Sequence, residues 1–533
     1  MVAEALRSSG RLSAAVGVSR VLGLMRDQIF AALFGAGYVA DAYQVAFRLP
    51  NLLRDLFAEG ALSSAFVPTF TDALVKEDRD AAYHLGNLIF TGLALVTGLL
   101  TALGVIYAEW LVDLMAAGFD GDTHKLMLAT RLARVMMPLL AVISLSAVWM
   151  GMLNAQRSFT APAYAPALFN VASILTGGTL LILGLGVEDG IFWWSVGTMA
   201  AGGVQALVQL PSLWRLGYRP RLVLRGFFGH PGVRRVLRLM GPAVLGLAAV
   251  QINVVVNTQF ASALPGDGPV AQLGYAFRVF YLPVGIFSVA IATVTTTRVS
   301  EDAARGDVAA LGASAADGMS AVWMLMTASG VGLFCLAEPV VQLLFERGAF
   351  DHEATLATAA VLRSYVLGLL PYGLVKVLAP VFYGVDRVRV PLFASMSAVA
   401  INIAFNALTY RELGAPGIAL GTTLGAVTNY AILRIGLRRV AGPLVVEGRA
   451  RQSAALVLGN ALMGGLVWGA WWAWQNHAPQ ALQASTLVRL ALVGGLVAIG
   501  FVSYVATLRA FRYPGAELLA SLPSKIFRKL RGR

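Results

Sequence analysis

Fourteen apolar stretches of about 20 residues or more follow one another along this chain, each bounded by charges, Gly or Pro. They run over about 11–34, 41–71, 86–108, 126–152, 163–184, 191–213, 236–263, 270–297, 316–337, 355–380, 391–410, 416–436, 453–474 and 486–509. A stretch of that length crosses the hydrocarbon core of a bilayer as a helix. Inside a bilayer only helices and closed barrels satisfy their own backbone. A barrel needs apolar residues alternating at period two, which these continuous runs lack. With 58% hydrophobic and 13% charged residues, the chain is too apolar for a soluble enzyme or a disordered segment. The expected fold is an all-α polytopic membrane protein.

The basic residues supply the topology. About 28 Lys and Arg fall in the tails and around the loops near 72–85, 153–162, 214–235, 298–315, 381–390 and 437–452. The opposite loops hold about three: Lys125, Arg347 and Arg411. Cytoplasmic loops collect positive charge, so both termini are expected in the cytoplasm, and the net charge of +13 reads as topology and not as a nucleic-acid surface. The first stretch carries Arg20, Arg26 and Asp27, which the core of a cleavable signal peptide does not tolerate. A single Cys335 excludes a disulfide framework. His84, His124, His230, His352 and His477 have no metal-ligand spacing, so no zinc site is expected.

Residues 28–40 (QIFAALFGAGYVA) are echoed by 259–271 (QFASALPGDGPVA). Gln28, Gly35, Gly37, Val39 and Ala40 fall on Gln259, Gly266, Gly268, Val270 and Ala271, and Leu49-Pro50 is echoed by Leu282-Pro283. The spacing covers six spans, an even number, so the copies share one orientation, as in two-lobed transporters with a site at the lobe interface. The expected organisation is an N-terminal six-helix lobe over 1–213, a C-terminal six-helix lobe over 214–440, and two additional spans with a basic tail over 441–533.

The charges within the first lobe carry the functional signal. A central Arg facing lipid costs about 2.5–3.5 kcal/mol, so Arg20, Arg26, Arg48 and Arg54 together would cost roughly 10–14 kcal/mol. They must face water, a counter-ion or an anionic ligand. At ~100° per residue, Asp41, Gln44, Arg48, Asn51, Asp55 and Glu59 share one stripe of span 2. The stripe lines a water-filled cavity or forms a salt-bridge ladder, with Arg48 held by Gln44 and Asp55 and Asp41 the partner of a neighbouring helix. Arg54 falls off it unless Pro50 and Gly60 bend the helix. In span 1, Ser13, Arg20 and Asp27 share a face, and Arg26 points about 120° away from Arg20. In the second lobe Gln251 and Asn257 stand where Arg20 and Arg26 would recur, and Arg278 is the conspicuous cation. Surplus positive charge calls for an anion, and Arg suits bidentate phosphate contacts.

Weaker features accompany these. Asn402, Asn406 and Thr422, with Asn253, offer oxygens for a weak sodium site or for interhelical hydrogen bonds, without a carboxylate. Arg363 and Lys376 line the cavity or snorkel to an interface. The tail KIFRKLRGR (525–533) reads as an anchor for anionic membrane lipids, and Trp468–Trp474 as an interfacial belt.

The segments SRVLGLMRDQIFAALFGAG (19–37), ADAYQVAFRLPNLLRDLFAEGALSSAFVPTF (40–70), APAYAPALFN (161–170), GPAVLG (241–246) and VKVLAPVFY (375–383) closely resemble the MurJ/MviN lipid II flippases of the MOP exporter superfamily. The resemblance runs from about 8 to 440. It implies translocation of an undecaprenyl-pyrophosphate-linked disaccharide-pentapeptide between leaflets of the bacterial inner membrane, for peptidoglycan synthesis. It maps the essential cavity charges onto Arg20, Arg26, Asp41, Arg54 and Arg278, with Arg48 where a Lys is common, and gives the last two spans a groove for the lipid tail. Phe280-Tyr281-Leu282 departs from relatives that carry an acid before the Pro.

The expected activity is therefore that of a lipid II flippase working by alternating access through a cationic cavity, without bond chemistry or a resident cofactor. Coupling is to sodium or to the membrane potential, and cell-wall synthesis machinery is the expected partner. The competing readings are a flippase for another polyprenyl-linked oligosaccharide of O-antigen type and a polytopic glycosyltransferase. The first lacks the family motif. The second needs a large outer loop with exposed carboxylates, where this chain has short ones.

Overall fold

A computed structural model describes residues 2–56, 62–442, 449–479 and 485–521. Glu59, the tail 525–533 and the side chain of Ser13, all singled out above, lie outside the described residues. Among the described residues there is no strand. The helices are α1 (Val2–Phe34), α2 (Tyr38–Arg54), α3 (Ser63–Lys76), α4 (Arg79–Ile106), α5 (Ala108–Met115), α6 (Thr123–Met136), α7 (Leu139–Ala155), α8 (Thr160–Leu183), α9 (Val187–Leu207), α10 (Leu210–Arg215), α11 (Pro231–Ser262), α12 (Pro269–Pro283), α13 (Val289–Ala304), α14 (Val308–Cys335), α15 (Ala337–Phe345), α16 (His352–Val366), α17 (Leu369–Gly384), α18 (Arg389–Ala441), α19 (Arg449–His477) and α20 (Thr486–Ala510).

Local chemistry sets many of the ends. Asp78 accepts from the amide of Ala81 at the start of α4, Asp122 from His124 and Lys125 at α6, and Asp307 from Ala310 at α14. Gly184 closes α8 in the left-handed region. Several expected spans are broken: at Pro138 between α6 and α7, at a π-turn (Val284–Ser288) after Pro283, and by a 46° bend between α16 and α17. The expected spans 391–410 and 416–436 run together as α18 across one residue of non-helical backbone, Gly414 at φ 60°. Among the described residues nine helical segments are long and apolar enough to cross a membrane, and the bent α16/α17 pair makes a tenth.

By compactness the chain forms two units, Met1–Ala271 with Arg347–Asp351, and Gln272–Glu346 with His352–Arg533. In the first unit α11 packs on α3 and on the short turn Ala117–Gly121. The loop side of that packing is fixed by Arg235, which donates to Asp72 at 2.6 Å. That hydrogen bond, with Lys76 nearby, holds the Asp72 carboxyl below the usual range. The first unit has a core of Phe66, Phe70, Leu85, Leu88, Val148 and Tyr218. In the second unit α19 and α20 pack with α14 around Met324, Met463, Trp471 and Tyr504, and the Tyr504 hydroxyl donates to the Met324 carbonyl at 2.7 Å. Trp471 is thus core, while Trp468 and Trp472 are exposed as an interfacial belt requires.

The glycine pairs of the repeat agree in part: Gly37 (φ −100°) and Gly268 (φ 100°) differ in sign. Gly35 and Gly266, paired by the sequence offset, both take positive φ, 63° and 84°. Gly35 is also part of a close reciprocal approach. A Cβ there would lie 2.4 Å from the Ala349 carbonyl oxygen, and one on Gly348 (φ 58°) would lie 2.2 Å from that of Ala32. Gly348→Ala is therefore expected to destabilise the protein by about 1–3 kcal/mol, through left-handed strain and a backbone clash. Gly178→Ala, in open space on α8, serves as the neutral control. Thermal unfolding of the two variants in detergent makes the comparison, and equal midpoints would remove the claim.

Candidate functional site: arginine–aspartate pairs in the first unit

The scaffold of the site is an aromatic and glycine packing of α1, α2, α8 and α9. The Phe30 ring lies 4.8 Å from Tyr43 and 5.4 Å from Trp194, and Gly177 admits Ile29 of α1 against α8. The Tyr43 and Thr198 hydroxyls meet at 3.2 Å. These contacts fix the rotation of α1 and α2, and so where their charges point.

Arg26 donates to Asp27 Oδ1 through Nε (3.2 Å) and Nη2 (2.9 Å), and to Asn170 Oδ1 of α8 through Nη1 (3.1 Å). The Asn170 amide in turn donates to the Ser19 carbonyl, which locks the APAYAPALFN segment to α1. Arg54 repeats the device: Nε and Nη2 donate to Asp55 Oδ1 at 3.1 and 2.8 Å. Gln251 of α11 donates to the other oxygen of Asp55 at 3.3 Å.

Neighbours in sequence point ~100° apart on a helix. Each guanidinium must therefore curl around the helix to reach its Asp. Asp27 shares the face of Arg20, and Asp55 lies on the polar stripe of α2. The following Asp thus pulls Arg26 onto the Arg20 face and Arg54 onto the stripe, although their Cα positions point elsewhere. No bend at Pro50 is needed.

Arg20 is exposed and meets no acid among the described residues. Arg48 reaches across to the Thr258 hydroxyl of α11. Asn51 donates to its own helix at Phe47. Gln44 is buried, and its amide nitrogen has no partner among the described residues. The first unit therefore holds two local groups, Arg20, Arg26 and Asp27 with Asn170 on α1/α8, and Arg48, Arg54 and Asp55 with Gln251 and Thr258 on α2/α11. Asn253 and Asn257 sit on the same α11.

Asp41 takes a partner on a neighbouring helix, one of the two readings open to the stripe. It is 1% exposed. One oxygen takes Lys125 Nζ (2.8 Å) and the Gly268 amide (2.9 Å), and the other takes the Ala271 amide (2.8 Å). Both oxygens are engaged by the protein, which makes Asp41 a buried structural partner of Lys125 and of the two amides. Lys125 also reaches Asp267 at 3.3 Å and lies over the Phe119 ring. Sequence reading assigned Lys125 to an outer loop. The signal that could have found it is its isolation, one cation on a side nearly free of them.

In the second unit Arg278 lies over the Tyr275 ring at 5.8 Å. Arg363 pairs with Glu338 (3.8 Å) and Arg489 with Glu346 (3.4 Å). Burial acts to raise the Glu346 carboxyl, but hydrogen bonds from His352, Gln342 and Thr355 hold it below the usual range. Asn402 donates to Thr422 (3.3 Å) and accepts from Asn406 (3.1 Å). The two amides are almost wholly buried and bond to each other, and among the described residues no cluster of carboxylates, Cys or His suits a metal. This arrangement is one of hydrogen bonding between the halves of α18.

The family described as "Lipid II flippase MurJ" matches residues 30–487. The "Lipid II flippase MurJ" of Burkholderia cenocepacia is 33% identical over 504 residues, covering 93% of this chain and 96% of its own length. The "Probable lipid II flippase MurJ" of Rhizobium meliloti is 33% identical over 517 residues, covering 94% and 92%. Among solved structures, "Lipid II flippase MurJ, inward closed conformation" is similar at a TM-score of 0.77 and 24% identity, over 98% of this chain and 99% of that one. An inward-facing multidrug resistance MATE family transporter of the MOP superfamily is similar at 0.65 and 18%, over 79% and 95%. A third of the residues kept almost end to end, on a helical fold shared with that superfamily, means that this chain belongs to the lipid II flippase MurJ family.

Proposed function

We propose that the chain carries lipid II from the inner to the outer leaflet of the bacterial cytoplasmic membrane by alternating access, with the arginines of the first unit receiving its pyrophosphate. It is a transporter and not an enzyme. The observation that carries the site assignment is the Arg–Asp device. Arg26 and Arg54 are held as oriented forks on the polar faces of α1 and α2, and Arg20 has no acid of its own among the described residues. A guanidinium has five donors in a fixed plane. Arg26 spends three on Asp27 and Asn170, which leaves two N–H groups for a phosphate oxygen. Pairing with Asp offsets the cost of keeping the charge in the membrane while the site is empty. Docking of a diphosphate then supplies the charge that draws the surrounding helices inward, and they reopen on the other side.

The same reading puts both termini in the cytoplasm, the tail 525–533 at anionic headgroups and cell-wall synthesis enzymes on the receiving side. No step uses sodium. The membrane potential, about 2.3 kcal/mol per charge per 100 mV, acts directly on the charged complex. Leaflet accessibility of labelled lipid II in proteoliposomes tests both points. Translocation is expected with the wild-type chain, unchanged when choline replaces sodium and slowed when the potential is collapsed. Absence of translocation would overturn the assignment, and arrest in choline would overturn the coupling.

A further inference from the structure

The second unit contains a cavity of about 910 Å³ that the pyrophosphate site does not use. Its polar lining is Thr293, Thr296, Thr297, Ser300 and Glu301 of α13, and Lys376 of α17. Lys376 sits mid-helix, about 10 Å from either end of α17. Among the described residues it meets no carboxylate, and its neighbour is the Tyr372 ring at 5.7 Å. Lys376 stands four residues from the end of the expected span 355–380, and its ammonium lines this cavity with Glu301 and the α13 hydroxyls.

The hydroxyls define that ligand further. Thr293, Thr296 and Thr297 donate their protons to the carbonyls of Val289, Ala292 and Thr293, so each oxygen keeps lone pairs with which to accept. A row of such oxygens suits N–H donors, and the Lys376 ammonium beside it suits an anion. Thr293, Thr297 and Glu301 follow at four-residue steps, about 6 Å each. An extended peptide presents N–H groups on one side at every second residue, about 6.6–6.8 Å apart. The row from Thr293 to Glu301 is about 12 Å long, the reach of about four extended residues.

We propose that the α13 hydroxyl row and Lys376 form a subsite for the peptide arm of the transported head group. The Thr oxygens accept from peptide amides, and Lys376 binds a peptide carboxylate. This rests on the reading that the chain carries a lipid-linked glycopeptide, and it adds which part of the head group the second unit holds.

The test is binding to the full chain in nanodiscs. The probes are lipid II and the same undecaprenyl-pyrophosphate disaccharide after amidase removal of its peptide. Thr293→Val with Thr297→Val, and separately Lys376→Met, are expected to weaken lipid II at least tenfold and the peptide-free lipid less than twofold. Ser300→Ala removes a hydroxyl that makes no hydrogen bond among the described residues. It is expected to weaken lipid II about threefold even if the other variants fail to fold. Equal weakening of both probes would assign the row to sugar or diphosphate and overturn the proposal, as would unchanged binding of lipid II. If the wild-type chain binds neither probe, the transport reading itself falls, a result distinct from loss of peptide selectivity alone.

Discussion

Asp41→Ala is expected to destabilise the protein by about 3–5 kcal/mol, because it strands the buried Lys125 ammonium without its closest counter-ion. The same change orphans the amides of Gly268 and Ala271, which have no water to turn to. Asp267 cannot replace Asp41, since it is half exposed and reaches Lys125 from the solvent side. Against a net stability of about 5–15 kcal/mol this is a large fraction. The variant should accumulate poorly and unfold at lower temperature. Replacing both partners, Asp41→Leu with Lys125→Met, should recover part of the loss, because no unpaired charge is then buried. Recovery stays partial because the two amides remain unmet. Thermal unfolding of the purified chain decides the matter. A variant that keeps the wild-type midpoint but does not move lipid II would return Asp41 to the substrate ligands, where the sequence pattern first put it.

Asp41 also shows what a sequence exposes and what it hides. The polar stripe of α2 was legible because helical periodicity fixes the azimuth of every Cβ, and the helical architecture was legible because a bilayer demands long apolar runs. The partner of Asp41 was hidden because Lys125 is 84 residues away, brought in by the packing of α2 on α6. Asn170 was hidden for the same reason, although its segment APAYAPALFN stood out as a motif. The directions of Arg26 and Arg54 stayed open in the sequence for a different reason. Azimuth describes where a side chain starts, and a guanidinium ends several bonds later, where its nearest acid decides its position. Two Arg-Asp dipeptides in polar stretches of α1 and α2 were the available signal. Chain continuity through Gly414 left no trace in hydropathy, since Arg411 and Glu412 beside it read as a loop between two spans.

If the Asp sets the direction, then Asp27→Ala and Asp55→Ala should impair transport although each leaves its Arg in place. Without Asp27, the Arg26 side chain relaxes toward its own azimuth, and the fork no longer aims at the face it shares with Arg20. One charge-assisted hydrogen bond is worth about 1.5–3 kcal/mol, so affinity for lipid II should fall roughly 10- to 150-fold. Arg26→Ala removes the donor itself and should do at least as much. Arg26→Lys should not rescue, because an ammonium on a flexible stem cannot present two parallel N–H groups to Asp27 while holding Asn170. Arg20→Ala should also fail, since it removes the guanidinium that no acid offsets among the described residues. A purely structural role for the pairs predicts the opposite order. The Ala variants at Asp would then lose stability, and Lys at position 26 would restore it by keeping the charge. Growth of flippase-depleted cells, read beside the unfolding midpoint of each variant, separates the two. Wild-type growth with Asp27→Ala and Asp55→Ala would show that the carboxylates do not aim the arginines, and the proposed diphosphate clamp would lose its geometry.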